Sequence, residues 1–532
     1  MIFTQVLEQH DVIGGSTHTF EDKGYEFDVG LHYVGGGLES FFSPVRRVWA
    51  AVTDGKLEWT HCDATYDVAR NTTTGLAVEW TEDVRRNDAT VRTVFPGAAA
   101  AAALARYRFL ETVGVLVAYA FFSFKVLPRA CLKLSWPLLG PVWRRFGVRS
   151  VADTAAACGM TGDLADLGGC VTYLYGDYGV NPARAPWFVH ALVATHYHGG
   201  SFFPTGGCSS IAKTLVAAIA RRGGAAFCRA PVDSILVEGG RAVGVRCRGA
   251  TIRAKYVISC AGFRNTFGCE DLDDARTTRR GALLPRSVAA PQRALLQGDA
   301  AKDRVGGSIA MVYLFVGLDA SDEALGIRSQ NVWAVKDWRH DAAHAHLRNI
   351  DLAEGDVPAL TDLPGVFVGS ASAKDADYQR RHPGKASMVV LTIVRPEWFD
   401  AYADSTIKHR GAAYDAFKAK WRDLLLEALY AHWPATRGHV AYTDVGTPLS
   451  NDFYLGSVRG EVYALENTAD RYGGLDALLA QHPTSTVPGL LLTGQDACCV
   501  GVVSALVSGL LTAANVSYVA ALRCVLEIVL AV

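Results

Sequence analysis

The sequence predicts an α/β fold in which a doubly wound module of parallel strands is interleaved with an α+β module. Three stretches predict it. "VLEQHDVIGG" (residues 6–15) reads as a strand that ends in an acid and runs into paired glycines. "GGCSSIAKTLVAAIARRGG" (206–224) and the strands after it restore that pattern far downstream. "LLLTGQDACCVGVVSAL" (490–506) is an apolar strand, a glycine turn and the start of an apolar helix. A chain of 532 residues also exceeds the roughly 250–300 residues at which a single core stops growing, so more than one domain is expected.

The elements follow in order. Residues 1–70 alternate short strand-like runs with glycine turns. Residues 91–147 are helical and apolar, and the uncharged run Thr112–Phe124 has 13 residues, short of the roughly 20 that cross a bilayer. Lys125, Arg129, Lys133, Arg144 and Arg145 follow among Trp136, Pro137, Leu138 and Trp143. That mixture suits an interfacial anchor or the mouth of a lipid tunnel, and equally an ordinary buried helix with a solvated basic end. In 206–224, Ile211, Leu215, Ala218 and Ile219 repeat at helical spacing, Ser209 or Ser210 can cap the start, and Gly223–Gly224 close the end. Glu238–Gly239–Gly240 marks a hairpin, and "YVISCAG" (256–262) reads as a buried strand. Residues 266–450 mix helices and strands. Val502–Leu522 is 21 residues without a charge; it passes the length test for a spanning helix, but its Ala, Gly and Ser content suits a helix packed behind a ligand.

Composition excludes some functions. Net charge is −1, which gives no electrostatic case for nucleic acid. Half the residues are hydrophobic and mean hydropathy is +0.13, so a large apolar pocket or a membrane-facing surface is expected. The 12 cysteines show no CxxC pair and no zinc spacing, and no metal site is expected. Cys131, Cys158, Cys260 and Cys524 lie in apolar segments and read as buried thiols, as does the pair Cys498–Cys499. No targeting segment is visible.

The motifs point to a dinucleotide. A carboxylate at the end of a strand, Glu8, can accept both hydroxyls of an adenine ribose. Gly14 and Gly15 let backbone amides face a pyrophosphate. Asp28 and Gly30 follow in "YEFDVGLHYVGGG" (25–37). Pro204 and Gly206–Gly207 open a helix whose N-terminus suits an electron-rich group. Gly494 permits close backbone approach, and Asp496 can accept hydrogen bonds from a ribityl chain.

"VLEQHDVIGGSTHTFEDKGYEFDVGLHYVGGG", "YGVNPARAPWFVHALVATHYHGGSFFPTGGCSSIA", "SASAKDADYQRRHPG" and "LLLTGQDACCVGVVSALVSGLL" together resemble the retinol saturases. These form a branch of the phytoene desaturase and carotenoid isomerase group within the FAD-dependent amine-oxidase-like superfamily. The resemblance runs from residue 6 to about 515 and is weakest at 91–150 and 266–360. "TGQDACCVGVVSAL" resembles the saturase ending rather than the PGQGV-type ending of the isomerases and desaturases.

The resemblance implies a Rossmann-like FAD-binding domain interleaved with an α+β substrate domain. The FAD domain would comprise 1–70, 201–265 and 451–532, and the substrate domain 71–200 and 266–450. Glu8 would hold the adenosine ribose; Gly14, Gly15 and Ser16 the pyrophosphate and ribityl chain; Val232 the adenine through its backbone. Ala261 and Gly262 would pass the adenosine, Gly494 and Asp496 would hold the pyrophosphate and ribityl end, and Val502 and Val503 would lie by the flavin ring. The family's GxGxxG loop would occupy roughly 25–30 residues upstream of Val6. Only five residues precede it, so the first strand, loop and helix are expected to be missing through truncation.

The implied chemistry is saturation of one C=C bond of a retinoid or carotenoid-like polyene. NAD(P)H or another donor would reduce the flavin. Candidate proton donors are His32, Tyr33, His196, His198 and Tyr454. The resemblance also implies association with an endoplasmic reticulum or plastid membrane. Two rival readings stand beside it: a cis–trans isomerase or desaturase on the same fold, and a flavin-free lipid-binding chain. A soluble amine oxidase would need an aromatic cage that the sequence does not reveal.

Overall fold

The computed structural model describes residues 4–269, 281–298, 304–519 and 522. Cys524 and part of the uncharged run 502–522 lie outside them.

Two short parallel pairs form the first module. Gln5–Leu7 runs parallel to Ala225–Phe227, which the helix Ser209–Arg221 feeds. Val257–Ser259 runs parallel to Leu490–Leu492, which leads through Gly494 to the helix Val502–Val516. The parallel pairing expected of the first strand is therefore present. The segment read as a buried strand is less covered than expected: Ile258 is 50% exposed, because this two-stranded sheet leaves one face bare there. Val232–Glu238, Arg241–Cys247 and Ala250–Arg253 form an antiparallel meander. Its first turn is the expected Gly239–Gly240 pair, with φ of 55° and 76°. Two successive left-handed residues make a turn whose twist matches the strands, and glycine adopts it without strain.

The second module is a seven-stranded sheet. Its spatial order is Val440–Gly446, Ala310–Leu318, Ala386–Val394, Gly365–Ser370, Asn331–Val335, Thr65–Asn71, Ala77–Thr81. Asn331–Val335 pairs in parallel with Thr65–Asn71, and every other neighbour is antiparallel. Ala310–Leu318 and Ala386–Val394 are buried at every residue, which is why they read as continuous apolar runs rather than alternating ones. Thr65–Asn71, which the sequence groups with residues 1–70, pairs into this sheet.

The register sets one face of this sheet. Trp333 lies beside Phe367, Phe367 beside Leu391, and Leu391 beside Tyr313, while Asn331 lies beside Asp67. The hairpin Thr19–Asp22/Tyr25–Asp28 closes over this face: the rings of Phe20 and Phe27 sit 5.0 and 5.6 Å from Phe315. That contact joins the glycine-rich N-terminal segment to the sheet.

The apolar 91–147 stretch forms two helices, Ala98–Val126 and Arg129–Phe146. The first is long and apolar enough to cross a membrane, yet a stripe of Leu104, Tyr107, Glu111, Gly114, Ala118 and Phe121 is buried, and it packs on the helix Trp187–His196. The second exposes Leu134, Leu138, Val142 and Phe146. Val502–Val516 alternates buried and half-buried residues. Two cysteine expectations need correction: Cys131 and Cys260 are exposed, the first on the open face of Arg129–Phe146, the second where Val257–Ser259 ends opposite Glu8.

Candidate flavin crevice and the polar face of the large sheet

The dinucleotide residues come from three distant segments. Glu8 ends the first strand; its amide donates to Phe227 O at 2.8 Å, and its carboxylate accepts from the His10 amide at 2.8 Å. Gly14 passes so close to the helix Ser209–Arg221 that a Cβ would lie 3.2 Å from Ala212 Cβ. Ser16 is fixed against Gly30, where a Cβ would meet the Ser16 carbonyl at 3.1 Å. Val232 opens the meander. Ala261 and Gly262 follow Val257–Ser259, and Gly262 takes φ +88° to start the next short helix. Val502 and Val503 pack into an apolar cluster with Leu31, Val34, Cys208 and Ile211.

Gly15, Gly494 and Gly501 share one property. Each has positive φ (+54°, +85° and +95°), and no atom lies within 4 Å of where a side chain would begin. Bare left-handed backbone facing open space is the surface that close approach of a ligand requires. The described residues therefore fit a dinucleotide along its ribose, ribityl and ring-bearing stretches. Asp496 is engaged at both carboxylate oxygens. One carboxylate oxygen accepts from the Phe263 amide at 2.7 Å and the other from the Leu465 amide at 3.0 Å. It ties three chain segments together, and each oxygen keeps a further acceptor position.

Neither serine expected as the cap of Ser209–Arg221 caps it. Ser209 Oγ instead accepts from the Thr19 amide at 2.8 Å, and Ser210 Oγ donates to Thr205 O at 3.0 Å. Long-range demand from the hairpin outcompetes the local cap.

On the sheet side, the structure brings His32, Tyr33 and His196 near one another. Segment 31–34 divides its side chains: Leu31 and Val34 join the cluster beneath Val502 and Val503, while His32 and Tyr33 meet the sheet side. The His32 ring sits 5.0 Å from Phe367 and makes no hydrogen bond among the described residues. Burial lowers its pKa to about 3, so it is neutral. His196 and His198 are likewise held neutral, each lowered to about 4 by burial. The His196 ring lies 5.2 Å from Tyr197, which stacks on Tyr33 at 4.4 Å. Tyr454 stands apart, beside His10 at 5.2 Å.

Sequence reasoning missed the acids and the lysine of this face. Asp67 is fully buried; its carboxylate accepts from Tyr33 (3.0 Å), Tyr173 (2.9 Å) and Asn331 (2.9 Å). Burial pushes it up to about 7, against the pull of those hydrogen bonds. Asp177 lies within reach of the Tyr197 and Tyr33 hydroxyls and is raised well above the carboxylate range by burial, with Asp67 adding to the rise. Lys374 is 2% exposed; its ammonium donates to Ser370 O at 3.1 Å, and burial lowers its pKa. It lines a cavity of about 10 Å³ with Asp28 and His32, room for about one water. A second cavity, of about 30 Å³, is lined by Tyr175, Trp333, Phe367 and Leu391. Phe367 links the two, since it lines the second and packs on His32.

Comparison with known proteins agrees with this arrangement. Residues 4–266 match the flavin containing amine oxidoreductase family. An all-trans-retinol 13,14-reductase of Danio rerio is 31% identical over 530 residues, covering 96% of this chain and 81% of that one. A second Danio rerio protein, described as an inactive all-trans-retinol 13,14-reductase, is 26% identical, with the same 96% and 81% coverage. Among solved structures, putrescine oxidase bound to putrescine superposes with a TM-score of 0.58 at 14% identity, covering 97% of this chain and 93% of that one; the likeness is one of fold. The chain is thus an oxidoreductase, with FAD as its cofactor. With 31% identity sustained through nearly its whole length, it belongs to the family of the all-trans-retinol 13,14-reductases within the flavin containing amine oxidoreductases.

Proposed function

We propose that this chain saturates one C=C bond of a retinoid-type polyene. The observation that carries the reading is the full-length similarity to a retinol 13,14-reductase, joined to an apolar sheet face whose Phe367 packs on His32, next in the chain to Leu31 of the cluster with Val502 and Val503. When bound and reduced, FAD supplies the hydride. Glu8 would hold its ribose, Gly14, Gly15, Ser16 and Gly494 its pyrophosphate and ribityl chain, and Val232, Ala261 and Gly262 its adenosine end. Val502 and Val503 would back its ring, and Asp496 would act by fixing the turn at Phe263. The FAD would be held by segments 1–70, 201–265 and 451–532, and the polyene by 71–200 and 266–450, with Thr65–Asn71 joining the polyene side. Trp333, Phe367 and Leu391 would align the polyene and exclude water, so that hydride meets a fixed carbon. NAD(P)H or a comparable donor would reduce the flavin. The exposed Leu134, Leu138 and Val142 would rest on the membrane, that of the endoplasmic reticulum or a plastid, from which the polyene enters.

The test is in two steps. The purified chain should carry flavin bands near ~370 and ~450 nm that stay with it through gel filtration, as for any tightly held oxidised flavin. Reduced and given a polyene, it should release a product heavier by two hydrogens. An unchanged mass would favour isomerisation, and a loss of two hydrogens desaturation. A chain that copurifies with lipid and no flavin would act as a binding protein.

A further inference from the structure

The strongest unexplained feature of the molecule is a fully buried carboxyl, Asp67, beside a half-buried one, Asp177, that share tyrosine neighbours. Among the described residues, neither Asp67 nor Asp177 forms an ion pair. Their partners are tyrosine hydroxyls and one amide. An unpaired buried acid is costly in a merely structural role, and two sharing neighbours cost more. Tyr33 joins them: its hydroxyl donates to Asp67 at 3.0 Å and reaches Asp177 as well. It stands on segment 31–34, whose Leu31 and Val34 belong to the cluster beneath Val502 and Val503. The proposed hydride source and this hydroxyl thus lie on opposite sides of one short stretch of chain.

We propose that Tyr33 is the acid that protonates substrate carbon in the reduction, with Asp177 and Asp67 as its proton reserve; this rests on the reading of the chain as a polyene reductase. The step balances as follows. Hydride arrives with its electron pair from the reduced flavin at one alkene carbon, and the π bond breaks toward the other. That carbon takes the proton as the Tyr33 O–H bond breaks. The Tyr33 oxyanion regains a proton from the carboxylic acid of Asp177 or Asp67, and water reprotonates the carboxylate.

Burial, with Asp177 and Asp67 adding to it, holds the Tyr33 proton well above the usual phenol range, so that proton leaves only as a carboxylic acid replaces it. The cation that faces Asp67 from the 370–374 turn is Lys374, itself pushed toward neutrality by burial. From the helix Ala98–Val126, Arg108 and Glu111 act on the neighbouring Tyr66 and are already paired with each other at 3.0 Å. Around Asp177, the Tyr197 hydroxyl donates to it at 3.4 Å, and it opposes the ionisation of Tyr178 and Tyr463, whose hydroxyls bond to His190 and to Gly176 O. Burial thus biases Asp177 toward its protonated form and raises Asp67 to about 7.

The FAD-loaded chain and its Tyr33→Phe, Asp67→Asn and Tyr173→Phe variants test the proposal. In single turnover, Tyr33→Phe should slow polyene reduction about a hundredfold, the usual worth of a positioned acid. Oxidation of the reduced flavin by ferricenium, which needs no carbon protonation, should stay within about twofold. The wild-type rate should fall as pH rises through about 7, and Asp67→Asn should remove that fall. Tyr173→Phe, which deletes a hydrogen bond to the same Asp67 oxygen but leaves the Tyr33 hydroxyl in place, should slow the reaction at least about tenfold less than Tyr33→Phe and move the pH midpoint upward. Infrared difference spectra give a readout independent of turnover: a protonated-carboxyl stretch should titrate near neutral pH and lose that titrating part in Asp67→Asn. Full polyene reduction by Tyr33→Phe, or equal losses in Tyr33→Phe and Tyr173→Phe, would overturn the assignment. A wild-type chain that saturates no polyene yet shows the titrating carboxyl would refute the reductase reading while leaving the acid pair in place.

Discussion

Asp28 accepts a hydrogen bond from the Cys208 amide at 3.2 Å, and removal from water pushes its pKa up to about 7. A carboxyl raised on folding favours the folded state fully below its unfolded pKa of 3.8, and that contribution is lost as pH rises through the folded value. A shift of about 3 units at ~1.4 kcal/mol each sets the scale of the loss, on the order of 2–4 kcal/mol between about pH 4 and 7. Asp28→Asn keeps an acceptor for Cys208 and carries no charge. Its urea-denaturation stability relative to wild type should therefore rise across that window, and a flat difference would show that Asp28 does not titrate there. Gly501 makes a second residue-level case. Its φ of +95° and the empty space beside it mean that Gly501→Val costs roughly 1–2 kcal/mol of backbone strain and projects a side chain into the crevice. Flavin retention on gel filtration should fall at least about tenfold, while the circular dichroism of the flavin-free chain stays native.

Packing between elements reverses a rule that holds for helices in isolation. Gly→Ala inside a helix ordinarily stabilises by about 1 kcal/mol. At Gly114 the added Cβ would lie 2.5 Å from Ala191 Cβ and 2.8 Å from Trp187 Nε1, so the helices Ala98–Val126 and Trp187–His196 would have to part. Gly114→Ala should destabilise by about 1–3 kcal/mol in urea denaturation, against the sign that propensity gives. The same contact shows what the sequence could disclose. The apolar run was visible as a helix, but its partner, some 75 residues on, was not, because ridge-and-groove fit leaves no local pattern. Ala310–Leu318 and Ala386–Val394 were legible as strands because burial on both faces writes an unbroken apolar string. The paired glycines at 239–240 were legible because only one turn type wants both. Asp67 was not: one acid inside a seven-residue strand carries no mark of Asn331, Tyr33 or Tyr173, which only the sheet register and the 173–177 turn bring to it. Asp496 was legible as important, but the sequence cannot show that the Phe263 and Leu465 amides bind its two oxygens.

The molecule as a whole is nearly neutral, with 52 basic and 53 acidic side chains, so long-range attraction to an anionic surface is not what would bring it to a membrane. What it has instead is local. On Arg129–Phe146, Leu134, Leu138 and Val142 recur at four-residue intervals and are 85%, 81% and 57% exposed. Such a stripe lies on one helix face, and monomeric proteins seldom leave contiguous apolar surface open without a use. Lys133, Arg144 and Arg145 are exposed on the same helix and suit anionic headgroups. The neighbouring helix adds exposed Phe109, Leu116 and Tyr119, while its other face is held in the core, so the geometry favours lying against a bilayer over crossing it. Burying the three aliphatic side chains is worth about 1.5–3 kcal/mol each, enough to dominate the binding. Leu134→Asp combined with Leu138→Asp should therefore lower flotation with anionic vesicles at least about tenfold, whereas high salt alone, screening only the three basic residues, should lower it less. Flavin content and turnover of detergent-dispersed polyene should stay within about twofold, because neither leucine is buried in the fold. Undiminished flotation of the double variant would move the membrane contact off this helix, and flotation abolished by salt alone would make the contact electrostatic rather than apolar.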